Sequence, residues 1–234
     1  MDRLSTKLVP AVEERPKQTA FGRWMDGLMR RAAEPASNSY RYLSRLLDRE
    51  LPRIDGGVVL AFNCPDDDLL TTNTLLMQAY CLQSELESSV LIVDARVSGN
   101  ERGVSERLGL QGARGYADIV EHGLAGIELL IQPSGIAGIS VLAQGGNVTQ
   151  RVVAVQENLA ALLEYAKKRY GHILLQVGPV LEDTRSLVAA IQADAVLLLG
   201  HEHKTMMATL EASRQILESN GAKAVHAVVV ADKP

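Results

Sequence analysis

Cysteine is nearly missing from this chain of 234 residues: Cys64 and Cys81 are the only two, far apart in sequence. A pair so placed supplies neither a disulfide framework nor the paired spacing of a structural zinc site. Aromatic residues make up 4% of the chain, and Trp24 is the sole tryptophan. That leaves little of the stacking surface on which single strands of nucleic acid are bound. The formal net charge of -4 also lacks the basic balance of a dedicated nucleic-acid binder, so no nucleic acid is expected as partner. No apolar run approaches the roughly 20 residues that cross a bilayer. The N-terminal stretch is charged and broken by Pro10 and Pro16, unlike the apolar core of a secretory signal. A cytoplasmic location is the expectation. The 47% hydrophobic and 22% charged fractions are those of an ordinary globular protein, and the length fits one domain with tails.

Residues 1–37 are polar and punctuated by proline. Within them, 21–31 could form an amphipathic helix with Trp24, Leu28 and Met29 opposite Arg23 and Arg30, or the whole segment could be a partly ordered tail. The domain proper is expected over 38–234. It begins with a helix at 39–50, where Tyr40, Leu43, Leu46 and Leu47 recur at helical spacing, ending before Pro52 and the Gly56-Gly57 turn. Short apolar runs then read as buried strands at 58–62, 90–93, 129–131, 173–177, 195–199 and 225–230. Most lack alternation, as strands covered on both faces do. Helical patterns lie between them at 71–86, 152–170, 184–191 and 205–219, and Gly145-Gly146-Asn147 marks a loop before the second of these. Strand–helix alternation of this kind predicts an α/β, doubly wound, mainly parallel sheet flanked by helices. Ligands of such sheets bind beyond the carboxyl ends of the strands, which directs attention to the loops after Phe62, Val93 and Val177.

Those loops together resemble the bacterial tyrosine kinases of capsule and exopolysaccharide synthesis, relatives of the MinD and ParA ATPases. Asn63-Cys64-Pro65-Asp66-Asp67-Asp68-Leu69-Leu70-Thr71-Thr72 stands where the family carries P-G-E-G-K-T-T-T. Leu91-Ile92-Val93-Asp94-Ala95-Arg96 is similar to L-L-I-D-A-D. Residues 173–181, from Ile173 through Gln176, Gly178 and Pro179 to Leu181, are similar to an apolar strand ending D-T-P-P-V-L. Residues 194–199 and the helix from Thr205 continue the match, and 38–45 resembles the oligomerisation helix E-A-Y-R-x-L-R. The resemblance covers about residues 38–231 and implies a P-loop NTPase-like fold of the MinD/ParA type. Its specificity lies in order and spacing, because no single motif is intact.

A working phosphate loop uses glycines for close backbone approach, a lysine for the terminal phosphates and a hydroxyl for Mg²⁺. Aligned from Pro65, the glycine positions hold Asp66 and Asp68, the lysine position Leu69, and the metal-binding position Leu70. Thr71 could serve that last role only after a register shift. Two unit charges 4 Å apart repel by about 4 kcal/mol at an effective dielectric of 20, so Asp66, Asp67 and Asp68 oppose ATP strongly. The same three residues suit a helix N-terminus, which favours carboxylates by roughly 0.3–1 kcal/mol each; a metal site or a partner contact are the lesser readings. Gln176 occupies the position of a metal-orienting carboxylate and brings no charge. Asp94 is the one acidic group retained, and its expected use is to cap the following turn or hold a neighbouring amide. Catalytic residues and a metal site are not expected, and neither is a bound cofactor. The family's terminal tyrosine cluster also has no counterpart, the last tyrosine being Tyr170.

Of the remaining candidates, His201-Glu202-His203 lacks a third metal ligand and reads as a solvated loop. Residues 134–138 form a glycine turn too loose for phosphate, and Glu121 with His122 marks a helix end. The resemblance, together with these departures, implies a non-catalytic component of exopolysaccharide or capsule biosynthesis. Its expected partner is a membrane polysaccharide co-polymerase or chain-length-determinant protein, which would recruit it to the inner face of the membrane. The alternatives are an active tyrosine kinase or ATPase using ATP, Mg²⁺, Thr71, Thr72 and Asp94, and a ParA/MinD-like regulatory module. Self-association through the 38–45 helix is expected to be weakened or altered, since Arg41 matches the family pattern while Asn38 replaces its acid and the second arginine is displaced to Arg45.

Overall fold

The computed structural model describes residues 36–51, 56–66, 68–97, 103–146 and 151–231. Seven strands form one sheet: β1 (Val58–Asn63), β2 (Val90–Asp94), β3 (Ile131–Pro133), β4 (Ile139–Leu142), β5 (His172–Gln176), β6 (Ala195–His201) and β7 (Val225–Val230). Their order is β3-β4-β2-β5-β1-β6-β7; only the β3–β4 pair is antiparallel. Helices α1 (Ala36–Glu50), α2 (Asp68–Leu86), α3 (Val104–Arg107), α4 (Tyr116–His122), α5 (Ile127–Leu130), α6 (Val152–Lys167), α7 (Thr184–Ala190) and α8 (Met207–Ser219) connect and cover the strands.

The continuous apolar runs of β1, β2 and β5 are explained by their central places, where every residue is buried. Alternate side chains divide between two cores. Val59, Ala61, Leu91, Val93, Ile173 and Leu175 meet Leu159, Leu162 and Leu163 of α6 and Leu187 of α7 on one face. Leu60, Phe62, Val90, Ile92, Leu174 and Leu197 meet Leu75, Leu76, Ala79 and Leu82 of α2 on the other. Outside α2 lies α1, fixed by a Gln78 Nε2 to Ser44 Oγ hydrogen bond of 2.6 Å and by Arg41 and Arg45, which both reach Glu85.

The expected strand at 129–131 needs correction. Ile127 and Leu130 are buried three residues apart while Leu129 is 86% exposed, which is the spacing of the one-turn helix α5. The strand begins only at Ile131. The turn after it, with Gly138 at φ +83°, leads into β4, a strand unforeseen from the sequence that pairs in parallel with β2. Helix α2 starts three residues earlier than expected, at Asp68, and α8 starts two later, at Met207. Residues 1–35 with Trp24, together with Asp67, Asn147 and the final three positions, lie outside the described residues.

Candidate functional site

Parallel pairing brings three strand ends to one edge of the sheet. Gln176 of β5 is in register with Phe62 of β1 on one side and with Asp94 of β2 on the other. The chain leaves the strands through two further backbone bonds, Val177 N–H to Phe62 O and Ala95 N–H to Gln176 O. The expected loops after Phe62, Val93 and Val177 are therefore neighbours, and Asp94 and Gln176 come together, each fully buried.

The stretch from Pro65 to Thr72 passes directly from β1 into α2. Pro65 is buried and Asp66 exposed, and α2 starts at Asp68. Asp66 is turned onto its own chain: its Oδ1 accepts from the Thr205 hydroxyl at 3.0 Å and from Cys64 Sγ at 3.3 Å. Thr205 in turn accepts from His201 N–H, so Asp66 ties the loop after β1 to the loop after β6. Leu69 is 38% exposed, whereas Leu70 turns toward the core. Thr71 and Thr72 are buried, and the Thr72 hydroxyl accepts from Gln176 Nε2 at 2.8 Å. The other end of Gln176 is also engaged, with Oε1 accepting from Val104 N–H at 2.8 Å.

Asp94 sits at the centre of a closed polar network. Arg96 grips it with a two-pronged fork, Nε to Oδ1 at 2.8 Å and Nη2 to Oδ2 at 3.0 Å. Ser105 adds its backbone N–H at 3.0 Å and its hydroxyl at 2.6 Å, both to Oδ2. Arg96 Nη2 also donates to Glu106 Oε2 at 2.9 Å, and that same oxygen accepts from Gly103 N–H at the start of α3. The ring closes through Gln144, whose N–H donates to Ser105 Oγ and whose side chain reaches Arg96 O.

Charge makes this network possible. Arg96 is 2% exposed, among the largest fully enclosed side chains, and a buried guanidinium persists only when paired. Burial pushes its pKa down, but the hydrogen bonds and charge of Asp94, and then of Glu106, outweigh that and hold it above the ordinary arginine value. Space is provided by Gly103. A Cβ there would lie 1.5 Å from Arg96 Nη2, although the backbone angles suit any residue. Arg96, Ser105, Glu106, Gly103 and Gln144 were not foreseen as site residues. The available signal was the buried-acid problem itself: Asp94 at the end of an apolar strand requires a cation, and Arg96 lies two residues on.

The other sequence candidates stay apart from this edge or carry no site. Among the described residues no group of three or more His, Cys, Asp or Glu side chains could hold a metal ion, His201-Glu202-His203 included. Glu121 and His122 close α4, and residues 134–138 form the turn between β3 and β4. Arg41 and Arg45, expected to bear on self-association, pair with Glu85 of their own chain.

No family model matches this sequence, and no curated protein matches it. Solved structures do match in fold. The kinase domain of the Escherichia coli tyrosine kinase ETK superposes with a TM-score of 0.75 at 18% identity, over 87% of this chain and 79% of that one. The BceF tyrosine kinase domain gives 0.71 at 15% identity, over 93% and 91%. The septum site-determining protein MinD of Pyrococcus horikoshii, complexed with Mg-ADP, gives 0.55 at 16% identity, over 74% and 70%. The chain has the P-loop NTPase-like α/β fold shared by bacterial tyrosine kinase domains and MinD-type proteins.

Proposed function

We propose that this chain is a non-catalytic relative of the exopolysaccharide tyrosine kinases, serving as a cytoplasmic partner or regulator of a membrane polysaccharide co-polymerase. The observation that carries this reading is the occupation of Asp94. In the resembling kinases this position serves metal or substrate, whereas here its two oxygens take four hydrogen bonds from Arg96 and Ser105. Both ends of Gln176 are likewise engaged inside the protein. With leucine in the lysine position and Asp66 committed to Thr205, these residues do not fit ATP·Mg²⁺, and no reaction step is assigned to it.

Partner binding has support along the same edge. Leu69, Leu181, Met206 and Met207, which follow β1, β5 and β6, expose 38%, 42%, 69% and 74% of their surface. Apolar groups gathered on one side of a domain offer contacts to a protein partner. No helix among the described residues is long and apolar enough to cross a membrane, so association with a co-polymerase would supply the membrane attachment.

The test is co-expression of the tagged chain with the cytoplasmic segment of a co-polymerase from the same cells, with surface polysaccharide measured after gene deletion. Capture of the segment without added nucleotide, and altered polysaccharide in the deletant, are the expected results. Tyrosine autophosphorylation by the purified chain, or unchanged polysaccharide in the deletant, would overturn the proposal.

A further inference from the structure

We infer that Arg96 is a resident cation, built into the chain at the point where a divalent ion would bridge Asp94 and Glu106. The inference rests on the reading of the site as non-catalytic and adds how that site is held. One nitrogen makes the bridge: Nη2 lies 3.0 Å from Asp94 Oδ2 and 2.9 Å from Glu106 Oε2. Hard divalent cations sit between carboxylate oxygens in the same manner, at 2.3–2.6 Å for Ca²⁺. The guanidinium therefore occupies a position that a cation could take with shifts of a few tenths of an ångström at each oxygen. Ser105 Oγ, 2.6 Å from Asp94 Oδ2, is a third oxygen beside that carboxylate.

The consequence is a site fixed in one arrangement. Arg96 joins the end of β2 to α3 through Glu106, and α3 is joined to β5 through Val104 N–H and Gln176. Gln176 continues to Thr72 in α2. Four elements around the strand ends are thus connected through groups belonging to the chain itself. A protein that needs a bound ion to join these elements changes with ion supply; this chain keeps them joined at all times. The face it offers a partner is constant with respect to Mg²⁺ and nucleotide. Gly103 belongs to the same device, since only a residue without Cβ leaves room for the guanidinium.

Replacing Arg96 by a neutral side chain of similar length should convert the resident cation into an exchangeable one. The experiment compares thermal unfolding midpoints of the wild type, Arg96→Met and the double variant Asp94→Asn/Arg96→Met, each with EDTA and with 10 mM Ca²⁺ or Mn²⁺. The wild type should be indifferent to either ion. In EDTA, Arg96→Met should melt about 10 °C lower, because one partner of a buried pair is gone. Ca²⁺ or Mn²⁺ should return about 4 °C of this loss for a dissociation constant of about 1 mM. The double variant, with Asp94 neutral, should melt above Arg96→Met in EDTA and ignore the ions. Recovery of folded Arg96→Met only in the presence of Ca²⁺ would support the inference equally. It is overturned if Arg96→Met responds to the ions no more than the wild type does, if the double variant responds as strongly, or if Arg96→Met cannot be recovered with or without Ca²⁺. Failure in these arms leaves the non-catalytic reading standing, since that reading is tested on the wild type, by nucleotide binding, autophosphorylation and the polysaccharide of the deletant.

Discussion

Gly103→Ala is a small perturbation with a large expected effect. The glycine has φ -88° and ψ 179°, which alanine adopts without strain, so backbone preference contributes nothing. The cost is steric. The new methyl would stand 1.5 Å from Arg96 Nη2, 1.8 Å from Cζ and 2.4 Å from Nε, overlapping most of the guanidinium. An exposed arginine would swing aside, but this one is 2% exposed and held by Asp94 and Glu106. If it is driven from Asp94, a buried pair is broken at a cost of about 3–5 kcal/mol. If it keeps Asp94 and releases only Glu106, about 1–3 kcal/mol is lost. A chain of this size shifts its midpoint by roughly 2–4 °C per kcal/mol, so the first case lowers melting by about 6 °C or more. Calorimetry on purified protein reads this directly. The same substitution in an Arg96→Met background should cost less, because the two nearest clashing atoms, Nη2 and Cζ, are gone. A Gly103→Ala protein melting within about 1 °C of wild type would refute the placement of the guanidinium against Gly103.

Three further outcomes are expected. Gln176→Glu places a second carboxylate one strand from Asp94, a repulsion of about 3 kcal/mol at a 5 Å spacing and an effective dielectric of 20, and urea denaturation at pH 7 should show lower stability without any gain of ATP binding. Asp194 accepts from Val59 N–H, Lys167 and Lys223; burial raises its pKa, but Lys223, Lys167 and the backbone bond outweigh that and hold it below the ordinary 3.8. A depressed folded pKa stabilises above the unfolded value and is lost as pH falls through the folded one, so the gap between wild type and Asp194→Asn, about 1–3 kcal/mol at pH 7, should begin to close below pH 3.8. Arg41→Ala removes a partly exposed pair with Glu85 and should change stability by under about 1 kcal/mol. Light scattering should find no stable octamer in the wild type, because Arg41 and Arg45 of α1 are engaged with Glu85 of the same chain, nor in Arg41→Ala.

Much of the fold was legible because β1, β2, β5 and β6 are buried on both faces and write uninterrupted apolar runs. The failures have local causes. The run from Leu129 to Ile131 is apolar throughout, yet Leu129 is exposed and the buried positions, Ile127 and Leu130, fall at helical spacing, which composition alone does not reveal. Ile139–Leu142 is only four residues long and includes Ser140, too short to announce a strand beside β2. At the site, Asp94 and Gln176 stand out by their places in the family-like motifs at two strand ends, which parallel registration brings together. Arg96 is masked in the sequence because it stands in a motif position normally acidic, and Gly103, Ser105 and Glu106 because they reach the site through the path of the chain after β2. In the sequence Asp94 stands as a solitary acid, with no sign that it shares a cation with Glu106.

The central claim is that this edge of the sheet is filled by the chain's own groups and leaves no place for ATP·Mg²⁺. Calorimetric titration of the purified wild type with ATP, with and without Mg²⁺, tests it most directly. The account predicts no heat of binding up to millimolar nucleotide in either condition. A saturable, Mg²⁺-dependent isotherm with a micromolar dissociation constant would contradict it.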